Sequence, residues 1–187
     1  MSSKPLSALS LLALVALPVA SAGLMKSYGS FNLSKGGAAP LQQLLGALRA
    51  LQWMHHTKHW RTSGPNSYGD HLLFQRLYEA GGDPDIAKQI DGLGEKLVAY
   101  AGSESVRDEL IWGHATNFIS THKSEPGVTP AELALRSERS VQVLIRAAYD
   151  ELKRSNELSL GLDDFLMALA DARDTAIYLL QQRVAGA

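Results

Sequence analysis

From residue 40 onward, apolar residues recur at spacings of three and four, and no stretch of useful length shows the two-residue alternation of a strand. Leu41, Leu44, Leu45, Leu48 and Leu51 form the first such stripe, and Gln52, His55 and His59 continue the same helix face. A chain patterned this way is restricted to helices that bury one face each. The fold class is therefore all-α.

Punctuation divides the pattern. Helical periodicity begins at Pro40 and stops at Gly64-Pro65-Asn66. A second helix starts near Ser67 and stops at Gly81-Gly82. Asp83 then reads as an N-cap with Pro84 at the first helical position, so the second arm is expected to break near residues 80–84 and resume to Gly102. Ser103 or Ser105 opens an extra helical connection to about His122. Thr129, Pro130 and Glu132 supply a cap, a first-position proline and the acidic third residue of a capping box. That helix runs to about Asn156. The last spans Leu162 to Val184, with Phe165, Leu166, Leu169, Ala176, Leu179 and Leu180 inward. Short loops make neighbours antiparallel.

The N-terminus has a different character. Lys4, an apolar run from Leu6 to Val19 and the small-residue site Ala20-Ser21-Ala22 read as a secretory signal peptide over residues 1–22, or as a membrane anchor if it is not cleaved. The expected location is outside the cytoplasm, or cytoplasmic if translation starts at Met25. Residues 23–38 read as a flexible arm and 39–187 as the folded domain.

Composition narrows the chemistry. With no cysteine there is no disulfide, thiolate metal site or cysteine nucleophile. A net charge of -1 points to no polyanion partner. Four of the six histidines, His55, His56, His59 and His71, fall close together. Imidazole is a common metal ligand, and His55 and His59 share a face at a spacing of four. Asp91 and Glu95 have the same spacing and project their carboxylates together. Histidine with carboxylate suits non-haem iron, because the set serves both oxidation states and leaves positions open. Taken alone, the spacing gives a helical bundle with a candidate metal site, in which Trp53 and Trp60 read as core.

His59-Trp60, the Gly64-Pro65-Asn66 turn and a second histidine at 71, twelve positions on, resemble the signature of the Dps proteins, the mini-ferritins. The run from His71 to Glu79 resembles that family's second helix, and Asp91 with Glu95 matches its Asp-x-x-x-Glu. The closing segment from Leu162 to Arg183 is similar to the last helix of ferritin-like relatives. The resemblance covers about residues 40–102 and 129–185. It implies a ferritin-like antiparallel four-helix bundle whose subunits form a homo-oligomeric shell, twelve in the family. Ferrous iron would be oxidised by oxygen or peroxide and stored as ferric mineral, protecting against oxidative damage. It further implies that His59 and His71 of one subunit face Asp91 and Glu95 of a two-fold-related neighbour, with Trp60 beside them to intercept stray oxidising equivalents. His55, Asp70, Gln75 and Glu79 are secondary ligand candidates.

The sequence departs from the family in three places. Gln75 stands where an Asp is usual. Residues 81–85 lengthen the path from His71 to Asp91, and residues 103–123 are longer and more helical than the usual connection. DNA binding is not expected, since the arm offers only Lys26 and Lys35 to phosphates. The alternative functions are a ferritin-like scaffold or stress protein with a degenerate or non-iron metal site, and a membrane-anchored helical interaction module.

Overall fold

The computed structural model describes residues 32–79, 81 and 84–186. The signal-peptide or anchor reading of residues 1–22 and most of the arm lie outside the described residues, as does Asp83. Among the described residues six α-helices follow one another: α1 (Lys35–Trp60), α2 (Ser67–Tyr78), α3 (Ile86–Ala101), α4 (Asp108–Thr121), α5 (Pro130–Arg154) and α6 (Leu160–Ala185). A short 3-10 turn, Ser103–Val106, precedes α4. There is no strand among the described residues. No described helix is long and apolar enough to cross a membrane.

Helix α1 packs against α2, α3, α4 and α5, and α5 packs against α6. The four arms of the bundle are α1, the broken α2–α3 arm, α5 and α6; α4 is the crossover, laid against α1. Two layers of core result. The larger gathers Leu41, Leu44, Leu48 and Leu51 with Ile90, Leu93 and Leu97, Val141 and Ile145, and Leu162, Leu166 and Leu169. The smaller, around the α2 end of the bundle, holds Phe74, Leu77, Ala134, Leu135, Ala176 and Leu180. Burying each of the leucines, isoleucines, valine and phenylalanine among them contributes on the order of 1.5–3 kcal/mol. These stripes, rather than helix propensity, hold the bundle together.

The first helix begins at Lys35, not Pro40, and so takes in residues read as arm, Lys35 included. The reason is tertiary. Ser34 Oγ accepts from the Gly37 N–H at 3.1 Å, while the distant Glu157 carboxylate accepts from Ser34 N at 2.8 Å and from its hydroxyl at 3.1 Å. These bonds fix the first turn despite its glycines. A Cβ on Gly37 would run into the Glu157 carboxylate and push it away from this cap.

The second arm breaks where expected, between Tyr78 and Ile86. The cap is Asp85, however, and Pro84 is buried ahead of the helix rather than inside it. Asp85 accepts from the Lys88 N–H at 3.0 Å and reaches back to the Gly81 N–H at 2.9 Å. Those N–H donors hold its carboxyl below the usual range. One carboxylate thus spans the break. The capping box of α5 is complete: Thr129 accepts from Glu132 N, and Glu132 accepts from Thr129 N at 2.7 Å. In α6, Phe165 and Leu179 are only half-buried, and Arg173 lies fully inward instead.

Candidate functional site

The end of α1 and the start of α2 bring His59 and His71 face to face. Gly64, at φ +85°, lets the chain reverse between them. Their rings lie 3.7 Å apart, centroid to centroid, inclined at 32°. His59 Nδ1 donates to the His71 carbonyl at 3.0 Å, and His71 Nδ1 donates to the His59 carbonyl at 3.3 Å. A carbonyl can only accept, so both protons sit on Nδ1. In a neutral ring this arrangement puts the lone pair on Nε2, as a metal-ligating histidine needs. His59 is nearly buried and His71 is exposed.

Aromatic side chains continue from this pair. Tyr78 meets His59 edge-on at 5.2 Å and stacks on His56 at 4.1 Å. Trp60 closes on His56 at 4.2 Å, and Trp53 meets Trp60 edge-to-face at 5.8 Å. An open depression of about 470 Å³ lies alongside, walled by Trp53, His56, Tyr78 and the α4 residue Trp112, with Arg49 and Glu79 at its margin. Trp53 and Trp60, read as core from the sequence, are 51% and 59% exposed, and Trp112 is 64% exposed.

Asp91 and Glu95 stand one turn apart on α3, both exposed. They line a second depression, of about 490 Å³, with Val98, Asp108 and Arg49. Arg49 borders both depressions, and of the histidines only His56 lines either; the His59–His71 pair and the carboxylates stand apart. They do not converge within one chain. Among the described residues no three His, Asp or Glu side chains are placed to hold one metal ion. The chain carries a pair of facing imidazoles and, apart from it, a pair of carboxylates. Donors of these two types, if brought together, would suit ferrous iron.

The secondary candidates fare differently. Asp70 is corrected: Arg183 donates from Nη2 to its Oδ2 at 3.1 Å and from Nε to its Oδ1, so both oxygens are occupied. His55 is also corrected. It points into the bundle, fully buried, with Nε2 donating to Glu138 at 2.8 Å. Gln75, one turn after His71, is half-buried, and Glu79 is exposed beside the aromatic depression.

Glu138 and Arg173 are polar residues that the leucine pattern did not predict as core. Arg173 Nη1 donates to both Glu138 oxygens, at 3.2 and 3.3 Å, and both side chains are fully buried. Three helices thus aim one polar group each at the bundle axis. A ferritin-type interior site would be built from such facing side chains, but here the cation is a guanidinium and the interior does not fit a metal. The sequence held a signal: Glu138 lies four after Ala134 and three before Val141, and Arg173 seven after Leu166 and three before Ala176. Both are core registers. Burial pushes the His55 imidazole down, against the opposing pull of Glu138. Nearby on α1, burial and then Arg61 lower the Lys58 ammonium to about 8.

No family model matches the chain, and no curated protein matches it in sequence. Solved structures do match. DpsC from Streptomyces coelicolor superposes with a TM-score of 0.61 at 15% identity, over 79% of this chain and 83% of that one. Dps from Thermosynechococcus elongatus gives 0.59 at 14% identity, over 79% and 89%. The fold is Dps-like, a ferritin-like helical bundle.

Proposed function

We propose, from this Dps-like fold, that the protein binds and oxidises ferrous iron at a site shared between subunits and stores the ferric product in a homo-oligomeric shell. His59 and His71 of one subunit would face Asp91 and Glu95 of another. The observation that carries the reading is the reciprocal bonding of His59 and His71, which engages both Nδ1 atoms and leaves Nε2 to a ligand, with His71 exposed and His59 nearly buried beside it. The lack of convergence within one chain favours a site completed by a neighbour over one inside the bundle, where Arg173 already neutralises Glu138.

Iron is the substrate, and oxygen or peroxide takes its electron. The chain's own work is electrostatic and positional. The imidazoles bind ferrous iron without adding charge, and the carboxylates favour the ferric state that follows. Backbone carbonyls hold both rings in place before metal arrives, which lowers the ordering cost of binding.

The test is the double variant His59→Ala, His71→Ala. It should lose ferrous oxidation while keeping its far-ultraviolet circular dichroism. Full activity in the helical variant would end the reading. A second reading, a scaffold or stress protein with a weak or non-iron metal site, is favoured by Gln75 and by the capture of Asp70 by Arg183. Metal analysis of the purified protein separates the two.

A further inference from the structure

We infer that Ser140 and His122 form a second reactive site, one that takes the acyl group of small esters. It does not depend on the iron reading, and its depression shares no lining residue with the two described above. His122 caps the C-terminal end of α4. Its ring stacks on Phe118, one turn back, at 4.2 Å and 21°. Nδ1 donates to the Phe118 carbonyl at 2.8 Å, which can only accept, so a neutral ring keeps its lone pair on Nε2. That lone pair faces Ser140 Oγ, on α5, at 2.8 Å. A hydroxyl within hydrogen-bond reach of a base, with the base oriented by a third group, is the arrangement of an activated nucleophile. Here a backbone carbonyl does the orienting that a carboxylate does in a Ser-His-Asp triad.

A bond that merely ties two helices together would account for the contact but not for the space beside it. His122 and Ser140, both half-buried, line an open depression of about 360 Å³. Ala47, Val143 and Leu144 give it an apolar lining for a short acyl chain. The side-chain amides of Gln43 and Asn117 bring N–H donors to the same space, where an oxyanion would form. The Ser140 hydroxyl has a second acceptor in the Arg136 carbonyl, at 3.0 Å, and only the orientation that donates to His122 is reactive. In the reaction, Ser140 Oγ bonds to the ester carbonyl carbon as its proton passes to His122 Nε2. The carbon–alkoxy bond then breaks, and the leaving alcohol takes that proton. Water attacks the acyl-serine, His122 returns a proton to Ser140, and the carboxylic acid departs.

The experiment follows p-nitrophenyl butyrate with the full-chain protein. Ser140→Ala and His122→Gln should each lower the protein-dependent release of p-nitrophenolate about a hundredfold. Alanine is a good helix former, so Ser140→Ala should keep the circular dichroism of the unaltered protein. Mass spectrometry of the quenched, digested protein should find a butyryl group on Ser140. Equal release in Ser140→Ala would overturn the inference, as would butyryl groups on lysines or His114 alone, or no release above that of buffer. Loss in Ser140→Ala with full release in His122→Gln would overturn the role given to His122. None of these outcomes bears on ferrous oxidation.

Discussion

Arg173, Glu138 and His55 form a polar knot where the leucine stripes call for apolar side chains. Its members depend on one another. Removing Glu138 strands a buried guanidinium, and losing one partner of a buried pair costs about 3–5 kcal/mol. Replacing both charges with apolar groups of similar volume avoids that penalty. Glu138→Ala is therefore expected to destabilise the fold strongly, whereas Glu138→Leu with Arg173→Met recovers most of the loss. Urea denaturation of the two variants checks this. A double variant no more stable than the single would show that the ion pair itself stabilises. His55 adds a pH dependence. Burial lowers its folded value below the ordinary 6.5, so the unfolded chain takes up the proton first as pH falls. Stability is fully present above 6.5 and declines below it, with a slope of at most about 1.4 kcal/mol per pH unit. Glu138, Arg173 and Lys58 are the charges that act on the ring. Denaturation midpoints between pH 7 and 5 should fall, and His55→Gln should flatten the decline.

Helix α4 lies so close to α1 that a Cβ on Gly46 would come within 3.0 Å of the Ile111 carbonyl and meet the backbone of Ala115. Backbone cannot yield as a side-chain tip can. Gly46→Val should cost about 1–3 kcal/mol or more and loosen α4 in particular. Hydrogen exchange that leaves α4 as protected as before would contradict this. The glycine gave no sign of its role in the sequence, where it stands beside the leucine stripe. Legibility varied in this way across the fold. The α5 start was fully readable, since Thr129 and Glu132 satisfy each other within one turn. The α1 start was not, because Glu157, 123 positions from Ser34, fixes it. The break in the second arm was readable from its glycines, but its cap was misassigned because Asp85 bonds on both sides of the gap. At the candidate site, the twelve-residue interval between His59 and His71 was visible, while the carbonyl exchange that sets their tautomers needed the folded hairpin. Asp70 looked available only while Arg183, 113 positions away, was out of view.

If the ligands are split between subunits, activity belongs to the assembly. A His59→Ala, His71→Ala chain keeps good carboxylates, and an Asp91→Ala, Glu95→Ala chain keeps good histidines. Mixed assemblies should regain part of the oxidation rate that each parent lacks. An inactive mixture with subunit exchange proven by mass spectrometry would place the site within one chain. The tryptophans offer an independent view of the same event. The sequence has three, and Trp53, Trp60 and Trp112 are all more than half exposed around one aromatic depression. The protein's tryptophan emission therefore originates from a single region, around His56. Light emitted there reports polarity, collision with quenchers and energy transfer to a bound ferric ion, without any attached dye. A subunit settling over that ground would shift the emission to shorter wavelength and shield it from iodide, and iron arriving afterwards would dim it. Assembly and occupancy would then appear as two separate optical signals from unlabelled protein.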